Sequence, residues 1–131
     1  MSAASNYLEN KILDHVLTAT AYTQPSRYLA LFTANTGLET NSPSAEISTS
    51  GTAYSRQAVT FAAASSGSSS TNATVTFSAA TANWGTITHV AVMDASTSGN
   101  VLFWGAVTTS KTIETGDTFQ VTSGNLTISL D

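Results

Sequence analysis

The residues best suited to chemistry lie together in one stretch of the chain, NWGTITHVAVMDASTSGNVLFWGAV at 83–107. It holds both tryptophans, Trp84 and Trp104, together with His89 and, five positions later, Asp94. A histidine and an aspartate could form the base and the orienting group of a hydrolase. If both lie in one strand, however, an offset of five places them on opposite faces, roughly 16 Å apart at about 3.3 Å per residue. We therefore do not expect them to act as a catalytic pair.

Other patterns that carry catalysis or ligand binding are missing from the sequence. There is no cysteine, and neither a G-x-S-x-G nucleophile elbow nor a glycine-rich phosphate loop occurs. His15 follows Asp14, but adjacent helical residues do not face each other, and two histidines in different elements do not give metal-ligand spacing. Eight acidic residues are few for a glycosidase carboxylate pair. We expect a protein that is not an enzyme, with no catalytic, cofactor-binding or metal-binding residues and no cofactor.

The charge balance limits the partners that we expect. Four basic residues against eight acidic ones give a net charge of −4, and the basic residues are scattered, whereas nucleic-acid binding needs a basic patch or stripe. No run of about 18 apolar residues occurs, and the N-terminus lacks the pattern of a signal peptide. We expect neither nucleic acid nor a membrane as a partner, and assembly in a cytoplasm.

One segment, about residues 6–18, has the pattern of a helix. Asn6 is a candidate N-cap, with Glu9 three positions later as in a capping box. Apolar residues at helical spacing predict an amphipathic helix that must lie against another surface. These residues are Leu8, Ile12, Leu13, Val16 and Leu17.

After Pro25 the apolar period changes to two, which is typical of strands. Alternation at 72–77, 118–122 and 125–130 predicts half-buried strands. The segments 27–33 and 86–93 are apolar on both faces and predict central strands that are covered on each side. About eight short strands and one helix predict an all-β protein, an antiparallel β-sandwich of which the jelly roll is one form. We expect a single domain over 1–131, with the helix at about 6–18 and the sandwich at about 26–131.

The tryptophan-containing stretch fits this β architecture better than it fits a catalytic site. The segment DASTSGN at 94–100 is rich in turn residues and joins two apolar strands, so 86–107 is predicted to be a β-hairpin. Core packing is the favoured interpretation of both tryptophans, ahead of an interface or a carbohydrate-stacking role. Two segments are predicted loops: 34–53, polar except for Leu38 and Ile47, and 64–71, a hairpin tip.

Several runs of the sequence resemble a known group of proteins. They are NYLENKILDHVL, YLALFT, YSRQAVTFAAAS, ATANWGTITHVAVMDASTSGNVLFWGAV and GDTFQVTSGNLTISLD. Together they are similar to small virion structural proteins of tailed bacteriophages, which are described as capsid decoration (cement) or tail-fibre-like proteins. The resemblance covers nearly the whole chain. It implies a non-enzymatic β-sandwich that assembles as a homotrimer.

The resemblance implies two functions, which the residues do not separate. The first is a decoration protein on the outer surface of the head, which binds itself and the major capsid protein and stabilises the shell. The second is a tail or tail-fibre-associated module that binds a receptor or glycan through Trp84, Trp104 or the segment 34–53. The apolar helix positions and the large rings are the candidate interface residues for either function. They are Leu8, Ile12, Trp84, His89 and Trp104.

Overall fold

The computed structural model describes residues 3–130, in which the chain forms one helix and nine strands. In chain order the elements are β1 (Ala3–Ala4), α1 (Asn6–Leu17), β2 (Tyr28–Phe32), β3 (Gln57–Ala58), β4 (Ser68–Ser70), β5 (Val75–Thr76), β6 (Gly85–Met93), β7 (Val101–Ile113), β8 (Gln120–Val121) and β9 (Thr127–Ser129). The strand pairs among these residues are antiparallel. The predicted class, an antiparallel β protein preceded by one helix, is confirmed. The predicted domain limits, residues 1 and 131, lie outside the described residues.

The strands form one main sheet and two small ones. The main sheet has the order β1-β7-β6-β2-β3, and the pairs β4-β9 and β5-β8 form the small sheets. The hairpin predicted over 86–107 is present as β6 and β7, whose pairing includes Ala91 opposite Trp104. β7 continues beyond 107, the predicted end of the hairpin, to Ile113. Between the pairs Ile87–Lys111 and His89–Ala106, β6 has one residue and β7 has four, so β7 bulges and continues.

β2 and the second half of β6 are buried on both faces, as their sequences predict, whereas Thr86 in the first half of β6 is exposed. In β2, Leu29 and Leu31 point into a larger core, whereas Ala30 and Phe32 point into a smaller core on the opposite face. All four are fully buried. Successive side chains of a strand alternate between faces, so a strand without polar positions needs a cover on each side.

The larger core is covered by α1 and by the two small sheets, which makes the arrangement sandwich-like. Its centre is a group of aromatic rings in which Phe77 lies 6.0 Å from Tyr54, 6.5 Å from Trp84 and 5.9 Å from Phe119, measured between ring centroids. The indole Nε1 of Trp84 donates to the carbonyl of Thr52 at 2.9 Å. The preferred interpretation of Trp84 as a core residue is therefore confirmed.

The smaller core is covered by the long segment that the sequence presents as a polar loop. Leu38 in this segment is fully buried and packs with Phe32 and Met93. The segment is fastened to the sheet by main-chain hydrogen bonds from Thr33 to Ala45 and from Ile47 to Leu31. The first part of this long connection is thus the second layer on that face of the sheet.

The cap of the helix lies one residue earlier than predicted. Ser5, not Asn6, is the N-cap: its Oγ accepts from the backbone N–H of Leu8 at 3.3 Å and donates to the carbonyl of Val101. Glu9 is therefore one position beyond the capping-box position. The sequence suggested Asn6 because asparagine is an equally good cap, and only the neighbouring β7 carbonyl selects the serine.

We expect Leu38→Ala to destabilise the protein by about 2–5 kcal/mol, because it leaves a cavity over the smaller core. The free energy of unfolding can be measured by denaturant titration with tryptophan fluorescence. Thr40→Ala is the matched control, since Thr40 is exposed in the same segment and its replacement should change stability by no more than about 0.5 kcal/mol. Equal effects of the two variants would contradict the role of this segment as a cover.

Candidate functional site

The five candidate interface residues are distributed over buried and accessible positions. Leu8 and Trp84 are each 5% exposed and pack in the larger core. Ile12, His89 and Trp104 are partly exposed. An interface role stays a prediction for all five, but in this subunit only the last three offer accessible surface.

His89 and Trp104 lie together on the face of the main sheet that carries the smaller core. Their ring centroids are 6.3 Å apart, and the indole Nε1 of Trp104 donates to a carboxylate oxygen of Glu39 at 3.0 Å. The Nδ1 of His89 is 2.9 Å from the hydroxyl of Thr88. The cluster thus combines two aromatic rings with a single carboxylate on a partly exposed surface.

Asp94 has a structural role at the end of β6. Its carboxylate accepts hydrogen bonds from the backbone and the side-chain amides of Asn100 at 2.6 Å and 2.9 Å. Gly99 in the same turn has φ +77°, and a Cβ there would lie 2.5 Å from Asp94 Oδ1. Asp94 therefore closes the turn of the hairpin, while His89 bonds to Thr88, and the two side chains have separate partners.

A largely buried ion pair connects the long segment to this turn. Arg56 donates to both carboxylate oxygens of Glu46 at 2.8 Å and 2.7 Å, and to the carbonyls of Ala95 and Ser98 at 2.8 Å and 2.7 Å. The Arg56 side chain is only 6% exposed. Tyr54 extends the network, since its hydroxyl donates to Glu46 at 2.8 Å and accepts from the Leu31 backbone at 3.1 Å.

The network also sets the protonation of its members. Hydrogen bonding to Glu46 raises the pKa of Arg56 above its ordinary value, so the guanidinium stays charged. Burial, followed by the Glu46 carboxylate, raises the pKa of the Tyr54 phenol well above its usual range. The charged groups of Arg56 and Glu46 thus have hydrogen-bond partners inside the protein, and the arrangement stabilises the fold.

The C-terminal half of α1 exposes apolar side chains. Leu13, Val16 and Leu17 are 53%, 69% and 74% exposed, although Leu8 in the first turn is buried. Scattered apolar residues are normal on a protein surface, whereas a contiguous group marks a contact site. The helix therefore leaves part of its apolar stripe without a cover within residues 3–130.

Two grooves open on the face of the larger core. One, of about 400 Å³, lies between α1 and the β4–β9 sheet and has an almost entirely apolar lining that includes Ile12, Phe61 and Ile128. The other, of about 430 Å³, runs along β7, and uncharged polar side chains such as Thr108 and Asn125 mix with apolar ones in its lining. We call them the helix groove and the β7 groove.

Tyr22 lines the helix groove with a buried hydroxyl. This hydroxyl has no hydrogen-bond partner among residues 3–130. Burial raises the pKa of Tyr22 to about 12, with smaller contributions from Tyr7 and from the Asp94 carboxylate. The neutral phenol is therefore the form that the fold favours.

The described residues contain neither a metal cluster nor a membrane-spanning helix. No group of three or more His, Asp or Glu side chains in this part of the chain could hold a metal ion. At 12 residues, α1 is too short to cross a bilayer, and no other helix between residues 3 and 130 could do so.

Comparison with known families identifies the kind of protein to which these surfaces belong. A family model described as podophage GP4 fiber I protein gp80 matches residues 3–129. The chain belongs to this family. The resemblance to a bacteriophage virion structural protein of the tail-fibre-like type is thereby confirmed. No curated protein matches the sequence.

For this member of the gp80 family, sequence reasoning missed the residues that hold the surfaces in place. The pairing of Arg56 with Glu46 has no local sequence pattern, because it joins residues ten positions apart and also contacts the turn at Ala95 and Ser98. One signal was present: Arg56 is the only Lys, Arg, Asp or Glu between Glu46 and Asp94, and a charged group that becomes buried needs a partner. No sequence signal indicated that the C-terminal half of α1 is exposed, since its apolar residues have the same helical spacing as those in the first half.

We expect Arg56→Met to destabilise the protein by about 3 kcal/mol or more, because it leaves the Glu46 carboxylate without its ion-pair partner and the carbonyls of Ala95 and Ser98 without this donor. Chemical denaturation would measure the effect. Lys111→Met is the control, since Lys111 is exposed and should contribute no more than about 0.5 kcal/mol. The double variant Glu46→Gln/Arg56→Met should recover part of the loss. A loss as small as that of Lys111→Met would show that the ion pair does not hold the segment.

We expect the protein to lose stability as the pH rises from about 10 to about 12. In this range the unfolded chain releases the phenolic protons of Tyr22 and Tyr54, while the folded chain retains them because both pKa values are raised. Tyr22→Phe should make this loss less steep. At pH 7 the variant should be at least as stable as the parent, because the removed hydroxyl is buried without a partner among residues 3–130. Denaturation midpoints at pH 7, 10 and 11 would test both statements, and an unchanged slope in Tyr22→Phe would refute the assignment.

Proposed function

We propose that the chain is a non-enzymatic structural subunit of a phage tail fibre. The observation that carries this proposal is the family match over residues 3–129, whose description names a fibre protein. The match spans the helix and every strand up to β9, so it concerns the whole described architecture. Because the proposed role is mechanical, the surfaces that matter are those that contact neighbouring virion proteins.

The contacts within the fold support a mechanical role. The charged groups of Arg56 and Glu46 hold the long segment against the sheet, and Asp94 closes the turn. The surfaces that remain are mostly apolar or uncharged and polar, and each of the two grooves has one basic residue in its lining, Arg27 or Lys111. Such surfaces suit permanent protein contacts better than they suit acid–base chemistry, and a net charge of −4 argues against a nucleic-acid backbone as a partner.

Decoration of the capsid is the second candidate for the same class of structural protein. It is the first function that the sequence resemblance implies. In this role the partners would be further copies of the chain in a homotrimer and the major capsid protein, and the location would be the outer surface of the head. The family description favours the tail fibre over the head. In both candidate functions the protein is part of the virion and acts through contacts between subunits. The two functions differ only in whether the protein is attached to the tail or to the head.

A receptor- or glycan-binding role within the tail has one supporting observation. The β7 groove combines the aromatic ring of Phe103 with hydroxyl and amide side chains at Thr108, Gln120 and Asn125. Aromatic rings and uncharged polar groups are the combination that binds sugars through stacking and hydrogen bonds. Burial keeps Trp84 from such a contact in this subunit.

We expect antibodies against the chain to label the tail of purified particles in immunogold electron microscopy. Quantitative mass spectrometry of the same particles should find far fewer copies of this chain than of the major capsid protein, because fibres are few compared with capsid subunits. Label over the head, with a copy number close to that of the major capsid protein, would support decoration and overturn the fibre proposal. Particles treated with the same gold conjugate, but without antibody to the chain, are the control.

A further inference from the structure

The apolar stripe of α1 continues beyond the surface that the subunit itself covers. Leu8 is buried and Ile12 is half-buried against the larger core, whereas Val16, one turn further on, is 69% exposed. Leu13 and Leu17 broaden the exposed end of the stripe. The helix has amphipathic spacing along its whole length, so its second half has the surface of a helix that packs against something.

The helix groove has the complementary chemistry. Its walls come from α1, from β7 and from the β4–β9 sheet, and its lining includes Leu8, Phe61, Leu102, Phe103 and Ile128. At about 400 Å³ it has room for several aliphatic side chains, and no described residue fills it. Open apolar grooves of this kind receive amphipathic helices in other protein contacts.

Charge complementarity indicates what occupies the groove. Arg27 lines it, is partly buried, and donates to the carbonyl of Pro25 at 3.0 Å. Within residues 3–130 the single ion pair joins Arg56 to Glu46, so Arg27 has no acidic partner there. Asp14 lies three positions before Leu17 and thus beside it on the helix surface. It is exposed and likewise has no ion pair in the described part of the chain.

We propose that the helix groove binds the C-terminal half of α1 from a second copy of this chain. Leu13, Val16 and Leu17 of one copy fill the groove of the other, and Asp14 of the first pairs with Arg27 of the second. One chain carries both halves of this interface. The exposed apolar residues and Asp14 of its α1 would bind the groove and Arg27 of another copy. The inference rests on the proposed role as an assembling virion subunit, and it names the surface through which that assembly occurs.

The first test compares the association of the full-length protein and a helix variant. We expect sedimentation equilibrium to show wild-type self-association that Leu13→Gln/Leu17→Gln weakens about 100-fold or more, because two leucines lose most of their burial energy. Glutamine keeps the helix propensity. The matched control is Glu9→Gln/Asn10→Gln, at two exposed polar positions of the same helix, and it should associate like the wild type. Far-ultraviolet circular dichroism would verify that each variant keeps its fold.

The second test exchanges the charges. Arg27→Glu and Asp14→Arg should each weaken association, by roughly threefold to tenfold. The double variant Asp14→Arg/Arg27→Glu should restore it, because the ion pair between copies is re-formed with reversed signs. A purely structural role of Arg27 within one subunit would not give this recovery.

Three results would overturn the inference. They are a wild-type protein that stays monomeric at every concentration, unchanged association of Leu13→Gln/Leu17→Gln, and no recovery in the double charge variant. None of these results alters where the chain lies in the particle, so the failure of this interface and the failure of the fibre proposal can be told apart.

Discussion

The structure depends on the absence of a polar face on its central strands. β2 and the second half of β6 have apolar side chains on both sides of the main sheet, and burial of such side chains is the dominant favourable contribution to folding. The chain must therefore supply two covers from its own length. The small sheets and α1 form one, and Leu38 with its segment forms the other.

The second cover is held by polar contacts because it has few apolar residues of its own. Arg56 and Glu46 fasten the segment to the hairpin turn, and Asn41 adds a bond to Asn100 at 2.9 Å and one from the Val101 backbone at 2.8 Å. These groups retain hydrogen-bond partners when they are removed from water, which is the condition for burying them without a large cost. Arg56 and Glu46 are thus used inside the subunit, whereas other charged residues such as Asp14 and Lys111 are exposed.

The two grooves and the end of α1 remain on the surface, and the lining of the helix groove is almost entirely apolar. The first cover is incomplete, since the helix groove stays open beside a helix whose second half is exposed. The buried Leu8 lies in the first turn of α1, and the exposed Val16 and Leu17 lie in its last turn. The interface that we propose uses these exposed residues and the helix groove.

The sequence by itself determined the class of the fold, the two-faced strands, the hairpin at 86–107 and the core position of Trp84, because periodicity and turn chemistry are local properties. It placed the cap of α1 at Asn6, one residue too late, since the hydrogen bond from Ser5 to the carbonyl of Val101 joins residues almost a hundred positions apart. The role of Leu38, the pairing of Arg56 with Glu46 and the exposure of Leu17 were decided only by tertiary structure. In each case the outcome depends on how residues from different elements contact each other. Alternation along a strand predicts which side chains share a face of the sheet, but it does not predict which other element packs against that face.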